Sequence, residues 1–169
     1  MEKFKILQLC CFTNLWPASC SVISIDLKFK TSVFNVSQDY VNKFDLIAAS
    51  PPCIQFTKAN SSNWVIYPEH QINIALKCFE LCVRSSKLWF IENPPGRIET
   101  FIPALKKYRV ATWNGNIHKK EYVIYSNFLF LFPKSKRYSG NLSESSLSQN
   151  SRNKWKQDFI NSMSFCLNL

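Results

Sequence analysis

Two short stretches hold the residues able to do covalent chemistry: Asp45-Leu-Ile-Ala-Ala-Ser-Pro-Pro-Cys53 and Phe90-Ile-Glu-Asn-Pro-Pro-Gly96. Each runs from an apolar strand into a proline-rich turn, so one reactive side chain arrives at a strand end, a thiol at Cys53 and a carboxyl at Glu92. A thiolate is a strong nucleophile, and a cationic neighbour stabilises it; Lys58 and Arg97 are the candidates for that role. A carboxyl taken out of water holds its proton more readily, which suits a general acid. The plain alternatives are a cysteine acting as a small buried hydrophobe and a carboxylate that caps a turn or pairs with Arg97. The Pro-Pro approach favours the chemical reading for Cys53, whereas Glu92 taken alone fits either.

The elements that must position these residues follow from pattern. Residues 4–11 predict a buried strand, 21–26 a second ending on the carboxylate of Asp26, and 44–49 a third. Ser50-Pro51-Pro52 stops the third strand, because proline cannot donate to a ladder and holds its predecessor extended. From 68 to 85 the apolar residues Ile72, Ala75, Leu76, Phe79, Cys82 and Val83 recur at helical spacing, with Pro68 and Glu69 as a first turn. Residues 88–91 predict another strand, and 122–125 with 128–132 a closing hairpin around Ser126-Asn127. Alternating strand and helix predict an open α/β sheet, in which ligands bind outside the carboxyl ends of the strands. Adjacent parallel strands would bring Cys53 and Glu92 to one rim.

Residues 1–133 are thus expected to form the catalytic part. A Ser- and Asn-rich linker is expected at 134–151. Trp155, Phe159, Ile160, Met163 and Leu167 fall mostly at offsets of three and four, so 152–169 predicts a helix that docks on the same domain.

A chain of 169 residues, 46% hydrophobic and 15% aromatic, has material for one packed domain and little for two. The balance of 21 Lys+Arg against 11 Asp+Glu, a formal charge of +10, suits a polyanionic partner such as nucleic acid, or a solvated basic surface. The seven cysteines form no Cys-x-x-Cys pair and no zinc-spaced array, so a reduced setting and no metal are expected. The opening apolar strand is too short for a signal-peptide core or a membrane span. A cytoplasmic location is expected, or a host-cell interior for a viral protein.

Taken together the two motifs resemble those of the DNA (cytosine-5)-methyltransferase family, especially its compact phage and virus cytosine methylases. Ser50-Pro-Pro-Cys53 matches the Pro-Cys nucleophile loop and Ile91-Glu-Asn-Pro94 the Glu-Asn motif. Asp26 stands where the family binds the ribose of S-adenosylmethionine, and His118-Lys-Lys120 is similar to the basic motif that touches the target base. The resemblance covers about 4–132, and its most specific part is the ordered Pro-Cys and Glu-Asn pair. It implies a Rossmann-like S-adenosylmethionine-dependent methyltransferase sheet with flanking helices. It further implies that Cys53 adds to carbon 6 of a flipped-out cytosine, in duplex or single-stranded DNA, while Glu92 bonds or protonates ring nitrogen 3 and Asn93 holds the loop. The cofactor is then held by Leu9, Thr13, Asn14, Asp26, Ser50 and Pro52, and DNA by Lys58, Arg97, Lys119 and Lys120.

The family's opening turn is Gly-rich, whereas the matching stretch, Leu7-Gln-Leu-Cys-Cys-Phe-Thr-Asn14, contains no glycine. Asn14 tolerates a left-handed turn better than most residues, and Thr13 is placed to bond the cofactor carboxylate. The interval between Gly96 and Lys134 has no room for a separate target-recognition domain, so sequence reading is expected from loops at 55–64 and 113–120. A catalytically inactive methyltransferase-fold protein that binds nucleic acid or a protein partner is the alternative. A third reading treats Asn93-Pro-Pro as an amino-methyltransferase motif; it lacks the usual aromatic after Pro-Pro and leaves Cys53 unused.

Overall fold

The computed structural model describes residues 2–10, 16–53, 68–96, 98–101, 107–114 and 118–128, with 157, 160 and 161 of a further helical segment; at 68–69, 101, 107–114 and 118–121 the backbone alone is described. Its centre is a six-stranded sheet of order β2-β1-β3-β4-β6-β5. The strands are β1 (Phe4–Leu9), β2 (Cys20–Ile25), β3 (Leu46–Ala49), β4 (Leu88–Asn93), β5 (Lys107–Asn114) and β6 (His118–Ser126). The first four are parallel, and β6 runs antiparallel to both β4 and β5. The architecture is therefore mixed α/β with a mostly parallel sheet.

Every residue of β3 is buried, because helix packs one face of the sheet and other segments cover the opposite face. On one face Leu7, Leu9, Ile47, Ala49, Trp89, Ile91 and Val123 pack against helices α1 (Gln38–Val41) and α2 (Pro68–Val83). On the other, Ile6, Leu46, Ala48, Phe90, Tyr122 and Ile124 pack with Ile160, which is fully buried there. Alternation of β-strand side chains between the two faces produces this division. A short helix, α3 (Ile98–Phe101), follows β4.

Three sequence expectations change. The buried stripe of α2 is Ile74, Ala75, Cys78, Leu81 and Cys82, while Leu76 and Val83 are 39% and 45% exposed. Ile72 and Phe79 pack at its margin. Residues 122–125 belong to β6, which pairs with β5 on one side and β4 on the other, while 129–132 of the expected hairpin lie outside the described residues. Asn127 instead ties the chain back to the start of β4: its Oδ1 accepts from Trp89 N at 2.9 Å and its Nδ2 donates to Lys87 O at 2.8 Å. Finally, β4 runs through Asn93, because Glu92 and Asn93 pair with Ile124 and Val123 of β6. Glu92 thus lies within the strand instead of following it.

The thiols of α2 make a test of this core. Cys78 is held well above its usual value of 9.0, first by its contact with Cys10 (Sγ to Sγ 4.0 Å) and then by burial, and burial pushes Cys82 up. Above about pH 9 the unfolded chain therefore loses protons that the folded chain keeps. Stability is fully present below that pH and falls above it, by at most about 1.4 kcal/mol per pH unit for each thiol. Thermal melts across the alkaline range check this, with a shallower decline expected for Cys82→Ala. Equal declines in the two proteins would contradict it.

Candidate active site

Register brings the two chemical motifs together. Ala49 of β3 pairs with Ile91 of β4, so Ser50 comes level with Glu92 and Pro51 with Asn93. The period of two then puts Ser50 and Glu92 on one face. Ser50 Oγ donates to Glu92 Oε2 at 2.7 Å, and Asn93 Nδ2 donates to Pro51 O at 2.8 Å. Ser50 N also donates to Leu9 O at 2.9 Å, which ties the turn to β1. The turn that presents Cys53 is therefore fastened to the Glu-Asn strand end from both faces of the sheet.

These bonds have weight because of where they lie. Glu92 and Asn93 are only 4% and 1% exposed, and a buried polar group that loses its partner costs about 1–3 kcal/mol. Proline supplies no N–H of its own, so the carbonyl of Pro51 is the group through which this part of the turn can be gripped. Asn93 Oδ1 is buried with no hydrogen-bond partner among the described residues. Cys53 is half-buried, whereas Cys78 and Cys82 are buried.

A cleft opens beside the turn. The chain passes from β1 outward to β2 and then back across to β3, so the strand order reverses between β1 and β3, and crevices form outside the carboxyl ends at such a switch point. The space here amounts to about 410 Å³, part of it open to solvent, and is walled by Cys10, Asp26, Leu27, Thr31, Phe34, Pro52 and His70 among others. Asp26 caps a short 3-10 turn at Leu27–Phe29: its Oδ1 accepts from Lys28 N at 2.9 Å, and its other oxygen has no partner among the described residues. The rings of Phe34 and His70 lie 6.2 Å apart in a tilted arrangement at the wall.

The opening turn departs from expectation in an instructive way. Cys10 has φ 60°, the left-handed region that glycine enters freely and that costs a residue with a Cβ about 1–2 kcal/mol. Its N–H still donates to Ile25 O at 2.8 Å, so the pairing with β2 continues through the bend. The position that demands a left-handed residue is thus Cys10.

Of the proposed cofactor residues, Asp26 and Pro52 line the cleft. Leu9 is fully buried in the core and its carbonyl is taken by Ser50, while Ser50 itself bonds Glu92. Thr13, Asn14, Lys58 and Arg97 lie outside the described residues, as does loop 55–64. Lys119 and Lys120 are in strand β6, opposite Trp113 and Thr112 of β5, so most of the expected loop at 113–120 is ribbon. Sequence reasoning missed Cys10, Thr31, Phe34 and His70 as cleft residues; they come from four separate stretches of the chain that only the tertiary structure brings to one cleft. Among the described residues there is no metal-binding cluster, and no helix is long and apolar enough to cross a membrane.

No protein-family model and no curated protein sequence matches this chain. Among solved structures, the Entamoeba histolytica methyltransferase EhMeth aligns with it at 14% identity and a TM-score of 0.42. That alignment covers 86% of this chain and 62% of the other, so the chain spans less than two thirds of its neighbour's length.

Proposed function

We propose that this chain is an S-adenosylmethionine-dependent DNA (cytosine-5)-methyltransferase acting through Cys53. The observation that carries the reading is the double fastening of the two motifs, Ser50 to Glu92 at 2.7 Å and Asn93 to Pro51 at 2.8 Å. A nucleophile on a turn gains most from being held, since fixed geometry replaces a search through orientations. Cys53, as thiolate, forms a bond to carbon 6 of a cytosine turned out of its stack, at an unstacking cost of a few kcal/mol. Glu92 meets the charge that develops at ring nitrogen 3 with a hydrogen bond or a proton. Once carbon 5 has taken the methyl group from the cofactor's sulfonium, its proton would pass to solvent water, and the electron pair left behind would re-form the 5,6 double bond and expel Cys53 as thiolate.

The cleft fits the cofactor in its donor set. The unpartnered oxygen of Asp26 suits ribose hydroxyls, and the exposed rings of Phe34 and His70 suit a flat heteroaromatic. When bound, S-adenosylmethionine supplies an electrophilic methyl group. The chain's own contribution there is to place Asp26 and Pro52 on the cleft wall, with Pro52 one residue from the nucleophile.

One observation favours the second reading, a methyltransferase fold that has lost its chemistry. At Cys10 a side chain stands at the cleft wall where a glycine would leave room for a ligand. Titration calorimetry with S-adenosylmethionine decides between them. Saturable binding is expected, weakened about 10- to 100-fold in Asp26→Ala by the loss of a charged hydrogen-bond acceptor. No heat with the wild-type chain would favour the inactive relative.

A further inference from the structure

The β5–β6 hairpin is longer than the sheet that carries it. The β4 ladder ends where Asn93 pairs with Val123, yet β6 begins at His118 and stays paired with β5 out to Asn114. Because β6 is antiparallel to β4, this outer portion lies past the carboxyl end of β4, the end that carries Glu92 and Asn93. At roughly 3.4 Å per residue, His118 to Tyr122 extend about 17 Å beyond the last β4 pair. The pairs beside β4 are Lys107–Tyr125, Tyr108–Ile124 and Arg109–Val123, and those of the overhang are Val110–Tyr122, Ala111–Glu121, Thr112–Lys120, Trp113–Lys119 and Asn114–His118.

We infer that this two-stranded ribbon enters the major groove of double-stranded DNA and holds the duplex beside the catalytic pair. The inference rests on the methyltransferase reading for its substrate and adds the element and the groove. A β-ribbon is one of the elements the major groove admits, the groove being about 12 Å wide. Charge favours DNA: Lys119 and Lys120 lie in the overhang, Lys107 and Arg109 on β5 nearer its base, against the single acid Glu121, in a chain of net charge +10. Thr112 and Asn114 are residue types that read base edges. Position favours it as well. Across the rim the order is cleft at β1 and β3, catalytic pair at β3 and β4, then ribbon at β6 and β5, so the duplex sits on the side of the pair opposite the cleft.

The test uses the full chain carrying Cys53→Ser, without cofactor, so that binding is read apart from chemistry. Fluorescence anisotropy with a short duplex is expected to show tighter binding than with either strand alone. Methyl green, a major-groove ligand, should compete, and netropsin, a minor-groove ligand, should not. Adding Lys119→Ala and Lys120→Ala should reduce the slope of log affinity against log salt by about 2, as expected for two lost phosphate contacts. Displacement by netropsin alone, equal affinity for single strands, or an unchanged salt slope would overturn the inference. Groove competition uses the native ribbon, so it stands even where the double alanine variant misfolds. The parent reading is judged separately, by whether the unsubstituted chain forms a covalent adduct with single-stranded 5-fluorocytosine DNA.

Discussion

Cys53→Ser is expected to remove all covalent capture of DNA containing 5-fluorocytosine and to lower methyl transfer by at least about a thousandfold, or about 4 kcal/mol of barrier. The wild-type chain, given S-adenosylmethionine, should form an adduct that survives denaturant, because fluorine at carbon 5 blocks the elimination that frees the thiol. Serine is smaller by little and Cys53 is half-buried, so the fold should be retained. The hydroxyl is a far weaker nucleophile than a thiolate and has no general base assigned to it here. An adduct undiminished in Cys53→Ser, or none with wild type, would end the proposed mechanism. Retained folding, checked by an unchanged melting midpoint, makes the loss a chemical one.

How far such a site can be read from residues depends on what kind of local order encodes it. The turn at Ser50-Pro51-Pro52 was legible because proline ends a ladder for a covalent reason, and the continuous apolar run before it is what a strand buried on both faces looks like. The end of β4 is not legible in the sequence, because Glu92 and Asn93 look like exit residues; only their pairing with Ile124 and Val123 keeps them in the sheet. The buried face of α2 is hidden for a similar reason. Leu76 and Val83 count as apolar in any periodicity, and only the packing of Ile74 and Leu81 shows which stripe meets the sheet. The cleft wall was the least legible part, since Thr31, Phe34 and His70 come from separate segments joined by tertiary structure alone. Cys10 was hidden too: without glycine, nothing in its neighbourhood marks the left-handed residue.

Glu92→Gln is the substitution that separates a chemical carboxyl from a structural one. Its amide oxygen can still accept from Ser50 Oγ, so the strut across the rim survives and the turn stays in place. What is lost is the capacity to hold and return a proton at ring nitrogen 3, for which about 10²- to 10⁴-fold in methyl transfer is the usual scale. Duplex affinity, measured in the same preparations, is expected to move by less than about threefold, since the substitution alters no phosphate contact. Glu92→Ala provides the contrast. It strips Ser50 of its acceptor and leaves space in a region where Glu92 is only 4% exposed, so a stability loss of about 1–3 kcal/mol should accompany the loss of activity. If Glu92→Gln keeps activity within about threefold of wild type while Glu92→Ala loses both stability and activity, the carboxyl serves only as a strut for the Cys53 turn, and the proton at nitrogen 3 must come from elsewhere.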